Sequence, residues 1–281
     1  MLHKTLRFLL VMVVIAAFVV PAAAQEATPE PVEPAMMGVD ATCISPQSLS
    51  GSVNIGVIFT LSGAASVYGL PQRDAVQLAV DQINEAGYLG EGVMLVPMFE
   101  DSAGDREQAI AAMTRLVDQG VTAVIGPTLS SEMTAAGPVA QEAGILVVGV
   151  SNTATGLKDV IGDFYFRASL PESAVIPGTV AQATEALGLT TVGILYGNDN
   201  EFTVSGYEVF AEALVENGVA ISGEETFATG DVDFNAQLTN LINAEPDALV
   251  VSALAAEATQ IILQARALGY EGTIIGGNGF N

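Results

Sequence analysis

Short apolar runs alternate with amphipathic segments from Ser52 onward, and this alternation constrains the fold more than any other feature of the sequence. The apolar runs are rich in Val, Ile and Leu over their whole length, which is typical of parallel strands covered by helices on both faces. The segments between them repeat apolar residues at helical spacing. Repeated βα units of this kind predict an α/β fold built from doubly wound parallel sheets.

The units form two series, which predict two lobes. In the first series we expect strands at 53–59, 93–99, 121–126 and 145–150, and helices at 71–86, 105–119 and 131–143. In the second series we expect strands at 191–196, 219–227, 248–254 and 272–276, and helices at 173–187, 203–217, 233–244 and 256–268. The first helix has Ala75, Leu78, Ala79 and Ile83 on one stripe, which predicts that this stripe faces the core.

Pro171 and the segment 164–170 read as the passage between the two series. We therefore place lobe one at 51–168 and lobe two at 169–275. Residues 276–281 read as the start of a return to lobe one. Because ligands of such sheets bind beyond the carboxyl ends of the strands, two facing lobes predict a cleft.

Residues 1–24 have the features of an export signal peptide. Lys4 and Arg7 precede an apolar run from Phe8 to Val20, and a proline and three alanines follow. The run is shorter than the roughly 20 residues that span a bilayer. The alternative is an uncleaved anchor, and both readings predict a periplasmic or extracellular location for the rest of the chain.

The stretch 25–50 is rich in Pro, Ala and Glu and has no apolar periodicity, which predicts a flexible linker. It contains Cys43, which is the single cysteine of the chain and therefore has no intrachain disulfide partner. Cys43 lies about twenty residues beyond the position expected of a lipid-anchored cysteine. We interpret it as an unpaired cysteine in a linker.

The charge and the residue types exclude several functions. With 32 Asp and Glu against 8 Lys and Arg, the net charge of −24 repels phosphate backbones and argues against nucleic-acid binding. The single histidine, His3, lies in the predicted signal peptide, so the exported part lacks the base of a Ser-His-Asp mechanism. Glu100, Asp101 and Asp105 cluster after the second strand and read as a solvated turn and helix start. We expect no enzyme activity, no cofactor and no metal.

Three loops rich in Ser and Thr follow strands of the first series, at 61–69, 126–131 and 151–155. Because the carboxyl ends of parallel strands meet at one edge, these loops should lie together. Hydroxyl groups beside the free N–H groups of a helix N-terminus form an uncharged cradle suited to a carboxylate. The alternative is that they are ordinary helix caps and turn residues.

From Ser52 onward the chain resembles the leucine/isoleucine/valine-binding protein family, the type I periplasmic receptors of ABC transporters. The similarity is carried by IGVIFTLSGAASVYG, FEDSAGDREQAIAAMTRLVDQGVTAVIGPTLSS, FRASLPES and VGILYGNDNEF, in this order, over about 230 residues. The resemblance implies two lobes that close on a small solute and then present a surface to a membrane permease. It implies a branched-chain or other small amino acid, or a related amide, as the ligand.

The resemblance also implies binding residues for an amino acid. The α-carboxylate would be held by Ser130, with Ser131 beside it, and by Ser151 with Thr153. Hydroxyl and N–H donors around a carboxylate form charge-assisted hydrogen bonds, which agrees with this assignment.

The α-ammonium group would be bound by Glu172, and the aromatic rings of Tyr68 and Phe202 would pack on the ligand from either side. Two positions depart from the family pattern. Leu254 and Ala255 stand where members often place an aromatic residue, and Asn278 stands where many carry an acid. The missing acid leaves Glu172 alone, which widens the expected ligands to small polar solutes, including amides and urea-like molecules.

Members of this family usually continue for roughly another hundred residues beyond the point that corresponds to Asn281. We therefore interpret the sequence as a C-terminally truncated form that lacks part of both sheets, with exposed sheet edges as the consequence. One alternative function is the ligand-sensing domain of a signalling receptor. A transmembrane helix after the second lobe would distinguish such a receptor from a transport protein.

Overall fold

A computed structural model describes residues 51–280 of the 281-residue chain. The predicted signal peptide (1–24), the predicted linker (25–50), His3 and Cys43 lie outside the described residues. Within the described part, none of the helices has both the length and the apolar character needed to cross a membrane.

The first lobe is a five-stranded parallel sheet with four helices. Its strands are β1 (Gly51–Phe59), β2 (Val93–Asp101), β3 (Ala123–Ile125), β4 (Leu146–Gly149) and β5 (Tyr165–Arg167), in the spatial order β2-β1-β3-β4-β5. Its helices are α1 (Ser66–Glu85), α2 (Arg106–Asp118), α3 (Ser130–Ala143) and α4 (Leu157–Ile161). The strand order reverses beside β1, which is the switch point of a doubly wound sheet.

The second lobe is a four-stranded parallel sheet of the same kind. Its strands are β6 (Thr191–Gly197), β7 (Ala220–Phe227), β8 (Ala248–Ser252) and β9 (Thr273–Gly276), in the order β7-β6-β8-β9. Its helices are α5 (Glu172–Leu187), α6 (Glu201–Glu216), α7 (Asn235–Asn243) and α8 (Ala255–Ala267), and a short 3₁₀ helix follows at Asn278–Phe280. The predicted α/β class with two doubly wound parallel sheets is confirmed.

Each sheet is buried against its helices by aliphatic side chains. In the first lobe, Ile58 and Val124 of the sheet pack with Leu116 of α2 and Met133 of α3. In the second lobe one core lies around Phe210 of α6, and a second core forms around other side chains, including Phe234, Leu238 and Leu249. These cores explain why β6 and β8 are apolar on both faces.

The prediction for the first helix was wrong at its start and in its buried face. The helix begins at Ser66 rather than at residue 71, so Pro71 lies inside it. A single proline does not end this helix, because its φ is helical and it removes only one N–H donor. The stripe that includes Ala75 and Leu78 is exposed, with 59% of Leu78 accessible. Val80 is instead the buried aliphatic side chain of α1.

The segment 164–170, predicted as the passage between the lobes, contains a strand. Tyr165–Arg167 pairs with β4, with Val147 opposite Tyr165 and Gly149 opposite Arg167. A strand of three residues is too short to show the alternation or the apolar run from which strands are predicted. The first sheet therefore extends to Arg167.

Candidate functional site

A cavity of about 410 Å³ lies between the two lobes at the carboxyl ends of their strands. Six of the eight predicted binding residues line it: Tyr68, Ser130, Ser151, Thr153, Phe202 and Asn278. Ser131 and Glu172 are buried and are not part of its wall. The predicted loops therefore do converge at one edge of the first sheet.

A ring of hydrogen bonds connects the first-lobe loops with α1. Thr128 Oγ1 accepts from the Thr60 N–H (3.0 Å) and donates to Gln72 Oε1 (2.9 Å). Gln72 Nε2 donates to Ser151 Oγ (2.8 Å), and Ser151 Oγ donates to the Thr128 carbonyl (2.6 Å). The Ser151 hydroxyl proton is thus already used within the protein. Ser151 positions the loops, and sequence reasoning missed Gln72 as the residue that connects them.

Two other residues of the cavity wall, Ser130 and Thr153, have hydroxyl groups whose protons no described residue accepts. Thr153 Oγ1 is buried and has no hydrogen-bond partner among the described residues. Ser130 Oγ accepts a hydrogen bond from the Ala154 N–H (3.3 Å), which leaves its own proton available. Ser130 also begins α3, where the first-turn N–H groups have no intrahelical acceptor. These donors form an uncharged site for an anionic group.

Ser131 and Asn200 connect the two lobes beside this site. Asn200 Nδ2 donates to Ser131 Oγ (3.4 Å), and Asn200 Oδ1 accepts from the Phe202 N–H (2.9 Å) as the N-cap of α6. Ser131 therefore contacts the second lobe rather than the cavity. The same N-cap orients Phe202, whose ring forms part of the cavity wall.

Glu132 is a fully buried carboxylate that the sequence analysis missed. Its oxygens accept hydrogen bonds from Thr60 Oγ1 (3.1 Å) and from the Leu129 N–H (2.9 Å). Burial raises the pKa of Glu132, and the hydroxyl of Ser102, the N–H of Leu129 and the hydroxyl of Thr60 oppose this shift. Glu132 thereby joins the loops after β1 and β2 to the start of α3. A glutamate at the third helical position was the available signal.

Glu172 lies immediately behind the cavity wall. Its side chain is fully buried, and neither carboxyl oxygen has a hydrogen-bond partner among the described residues. Burial raises the pKa of Glu172 to about 8, opposed by the nearby Ser205 hydroxyl and by Arg167. A Cβ placed on Gly277 would lie 3.6 Å from Glu172 Oε1, so the carboxyl group borders the residue before Asn278. The Glu172 N–H also donates to the Thr153 carbonyl (2.9 Å).

Tyr68 joins the lobes as well as lining the cavity. Its hydroxyl donates to the Gly279 carbonyl (2.9 Å) and accepts from the Ala255 N–H (2.8 Å). Burial raises the pKa of Tyr68, and the nearby Glu257 raises it further against the effect of the Ala255 N–H. The Tyr68 hydroxyl therefore keeps its proton and can donate a hydrogen bond. Gly69 lets α1 approach this closely, because a Cβ there would collide with the Thr60 carbonyl.

Further contacts hold the lobes together at the cavity's edge. Arg106 forms an ion pair with Glu201 (2.6 Å), and the Thr155 N–H donates to Ser205 Oγ (2.9 Å). The first joins the start of α2 to α6, and the second joins the loop after β4 to α6. These contacts, together with those of Tyr68 and Ser131, describe a closed cleft.

Tyr68→Phe is expected to weaken this closed form while leaving the cavity wall intact. The change removes the hydroxyl that satisfies the Gly279 carbonyl and the Ala255 N–H. Each unsatisfied group costs about 1–3 kcal/mol, less where water replaces the lost partner. We expect a larger radius of gyration by small-angle X-ray scattering. Tyr88→Phe, at an exposed tyrosine of the same lobe, is the control, and an equal effect of both changes would contradict the role of Tyr68.

The rest of the cavity wall is mostly apolar. Leu129, Val150, Leu170, Val175 and Leu254 line it together with the polar Thr128 and Ser169, and none of the described Asp, Glu, Lys or Arg residues does so. A ligand would thus meet hydroxyl and N–H donors at one end and aliphatic side chains elsewhere. Residues 51–280 contain no group of three or more His, Cys, Asp or Glu side chains placed to hold a metal ion.

The model of the periplasmic binding protein family matches residues 52–280. Among curated proteins, the chain is 27% identical over 231 residues to the Leu/Ile/Val-binding protein BraC3 of Rhizobium johnstonii, covering 82% of this chain and 62% of that protein. It is 26% identical to the leucine-, isoleucine-, valine-, threonine- and alanine-binding protein of Pseudomonas aeruginosa, covering 81% and 61%. The chain therefore spans about three fifths of the length of these relatives.

Solved structures with the same fold include two amino-acid-binding proteins. The chain superposes with a TM-score of 0.75 on LivJ of Streptococcus pneumoniae, a branched-chain amino acid transporter substrate-binding protein in complex with isoleucine. That pair is 33% identical and covers 82% of this chain and 65% of LivJ. The leucine-binding protein LivK of Thermotoga maritima also gives 0.75, at 25% identity, with 82% and 64% covered.

Proposed function

The chain belongs to the periplasmic binding protein family, and from this premise we propose that it is the extracytoplasmic solute receptor of an ABC importer. Family members are periplasmic, and the family is not one of enzymes. The proposal includes export by the signal peptide at residues 1–24, a flexible linker at 25–50 and docking on a membrane permease. The domain boundaries at 168 and 275 belong to the same proposal.

We propose a branched-chain or other small amino acid as the ligand. The observation that carries this is the pair of hydroxyl groups, Thr153 and Ser130, in the wall of a cavity of about 410 Å³ that is lined mostly by apolar side chains. A buried hydroxyl group without a partner costs free energy, which a ligand carboxylate would recover. The volume is within the usual range of small-molecule sites. The aliphatic half of the wall suits an aliphatic side chain.

The ammonium end of the ligand would lie toward Asn278 and Glu172. Asn278 lines the cavity, and the buried carboxyl group of Glu172 borders the preceding residue, Gly277. In the ligand-free protein the raised pKa keeps Glu172 largely neutral at pH 7. A bound ammonium group would favour its ionised form, because an opposite charge nearby lowers the pKa of a carboxyl group.

A small amide or urea-like solute is the second candidate. The supporting observation is that no ionised side chain lines the cavity, and that an amide, Asn278, stands where an acid would bind ammonium. A neutral amide would hydrogen-bond with Asn278 and the two hydroxyl groups without needing a charged partner.

Thermal unfolding of the full chain with a ligand panel tests the proposal. We expect leucine, isoleucine or valine at a hundred times Kd to stabilise the protein by about 2.7 kcal/mol. This corresponds to roughly 5–10 °C in Tm for a chain of this size. Propionamide and urea are included at equal concentrations. A shift with an amide and none with any amino acid would overturn the amino-acid proposal.

The variant Thr153→Val removes only the cavity hydroxyl and is expected to abolish most of the ligand-induced shift. Thr122→Val is the matched control, because Thr122 is exposed and lies at the amino end of β3, the end away from the cavity. If both variants keep the full shift, Thr153 does not hold the ligand.

A further inference from the structure

A second, smaller cavity lies beside the first. It has a volume of about 130 Å³, and two side chains, Leu129 and Leu254, line both cavities. Leu129 belongs to the first lobe and Leu254 to the second. The two leucines therefore form the wall that separates the two spaces in the closed cleft.

Both leucines are held in place through their backbones. Leu129 precedes α3, and its N–H donates to buried Glu132 (2.9 Å). Leu254 precedes α8, and its carbonyl accepts from the Ala258 N–H (2.8 Å). A wall anchored at two helix N-termini keeps its position while the lobes stay closed. Leu254 also stands where the sequence pattern of the family often has an aromatic residue.

The second cavity exists because the loops that border it carry small residues. On the first-lobe side it is lined by Ala64, Ala65, Ala103 and Gly104. On the second-lobe side the one ionisable group is Glu257, which is buried and whose carboxylate accepts from the Gly230 N–H (2.9 Å). Among the described residues no Lys or Arg forms an ion pair with Glu257. This space therefore combines room for a narrow chain with an anionic end.

We propose that Leu129 and Leu254 limit the length of the ligand's side chain, and that the cavity behind them suits the ammonium group of a longer, basic side chain. The inference rests on the proposed function, because it takes the ligand to lie in the larger cavity with its carboxylate at Ser130 and Thr153. With the wall intact, the site accepts short aliphatic side chains. With the wall removed, a lysine-like side chain reaches Glu257.

The physical basis is the combination of space and charge. Truncating Leu254 joins the two cavities, so an aliphatic chain extends without collision and stays in contact with apolar surface. A buried carboxylate without a cationic side chain gains most from a ligand cation. Leucine, by contrast, loses packing contacts when Leu254 becomes alanine.

Calorimetric titration of the full chain with leucine, norleucine and lysine tests the proposal. For Leu254→Ala we expect the ratio of the lysine Kd to the leucine Kd to fall at least tenfold relative to the unchanged protein. Leu263→Ala, at an exposed leucine of α8, the helix that Leu254 precedes, is the matched control and should leave the ratio unchanged. In Leu254→Ala/Glu257→Gln the gain for lysine should disappear, while binding of norleucine should remain.

The outcomes separate the two proposals. If the unchanged protein binds leucine but Leu254→Ala weakens all three ligands by the same factor, the wall does not set ligand length. If the protein binds amides instead, the ratio of the 6-aminohexanamide Kd to the pentanamide Kd is measured, and the same fall is expected for Leu254→Ala. If Leu254→Ala does not fold, Leu129→Ala and Leu254→Val are measured instead, and we expect a smaller fall in the same Kd ratio. A protein that binds none of these ligands overturns the proposed function and this inference together.

Discussion

Glu172→Gln is expected to stabilise the ligand-free protein progressively as the pH rises from 5 to 8. Burial raises the folded-state pKa of Glu172 from 4.5 to about 8, so the folded protein keeps a proton that the unfolded chain has released. Between these two values the free energy of unfolding of the unchanged protein falls by about 1.4 kcal/mol per pH unit. The contribution is fully present below pH 4.5 and lost by about pH 8.

The variant should lack this pH-dependent loss because glutamine does not titrate. At pH 5 the free energies of unfolding of the two proteins differ by an amount that reflects the replacement of the carboxyl group by an amide. By pH 8 this difference grows by a few kcal/mol. This growth corresponds to roughly 7–14 °C in Tm for a chain of this size. Thermal unfolding at half-unit pH intervals measures it.

Glu185→Gln is the control for this experiment. Glu185 lies on the same helix, α5, and is exposed, so its replacement makes the same Glu-to-Gln change without removing a buried carboxyl group. Parallel Tm profiles for Glu172→Gln and the unchanged protein would show that Glu172 titrates as it does in water. In that case its burial would be relieved by solvent or by an additional partner.

Glu132→Ala is expected to cost about 3–5 kcal/mol of stability and to abolish ligand binding. The change removes the acceptor for the Leu129 N–H and for the Thr60 hydroxyl, both of which are buried. Two orphaned donors and the cavity left by the side chain each contribute to this loss. Because these bonds hold the loops after β1 and β2 against α3, Ser130 would lose its position.

Chemical denaturation and ligand titration measure the two effects separately. Glu142→Ala, at an exposed glutamate near the other end of α3, should change stability by less than about 0.5 kcal/mol. Glu132→Gln should recover part of the loss, since its amide oxygen still accepts a hydrogen bond. A Glu132→Ala protein with normal stability and ligand affinity would refute the proposed role of Glu132.

The parts of the fold that the sequence predicted well are those with long, continuous patterns. Strands such as β6 and β8 consist mainly of apolar residues because both faces are covered, and they lie where expected. The exposed stripe of α1 was mispredicted because periodicity identifies an apolar stripe but not the element that covers it. β5 escaped notice because three residues carry too little pattern.

The candidate site was predictable where it depends on local position and not where it depends on distant partners. Ser130 and Thr153 follow strands, so the sequence places them near the cavity. For Glu132 the sequence offers only its position in the first turn of α3, because its partner Thr60 is 72 residues away. For the same reason the sequence does not show that Ser151 Oγ accepts from Gln72, 79 residues earlier in the chain, and donates its proton to the Thr128 carbonyl. Long-range hydrogen bonds decide which of several similar hydroxyl groups stays available.

The contacts that Tyr68 makes with the second lobe affect how far a ligand can shift the proposed receptor toward its closed form. In the proposed receptor, ligand binding has an effect only through the difference between the closed fraction of the empty protein and that of the ligand-bound protein. Moving a two-state equilibrium from 1:99 to 99:1 takes about 5.5 kcal/mol of preference for one state. Contacts that already join Tyr68 to Gly279 and Ala255 supply part of that free energy before any solute arrives. In the proposed receptor, these contacts would raise the affinity for the solute and reduce the difference in closure between the empty and the occupied protein.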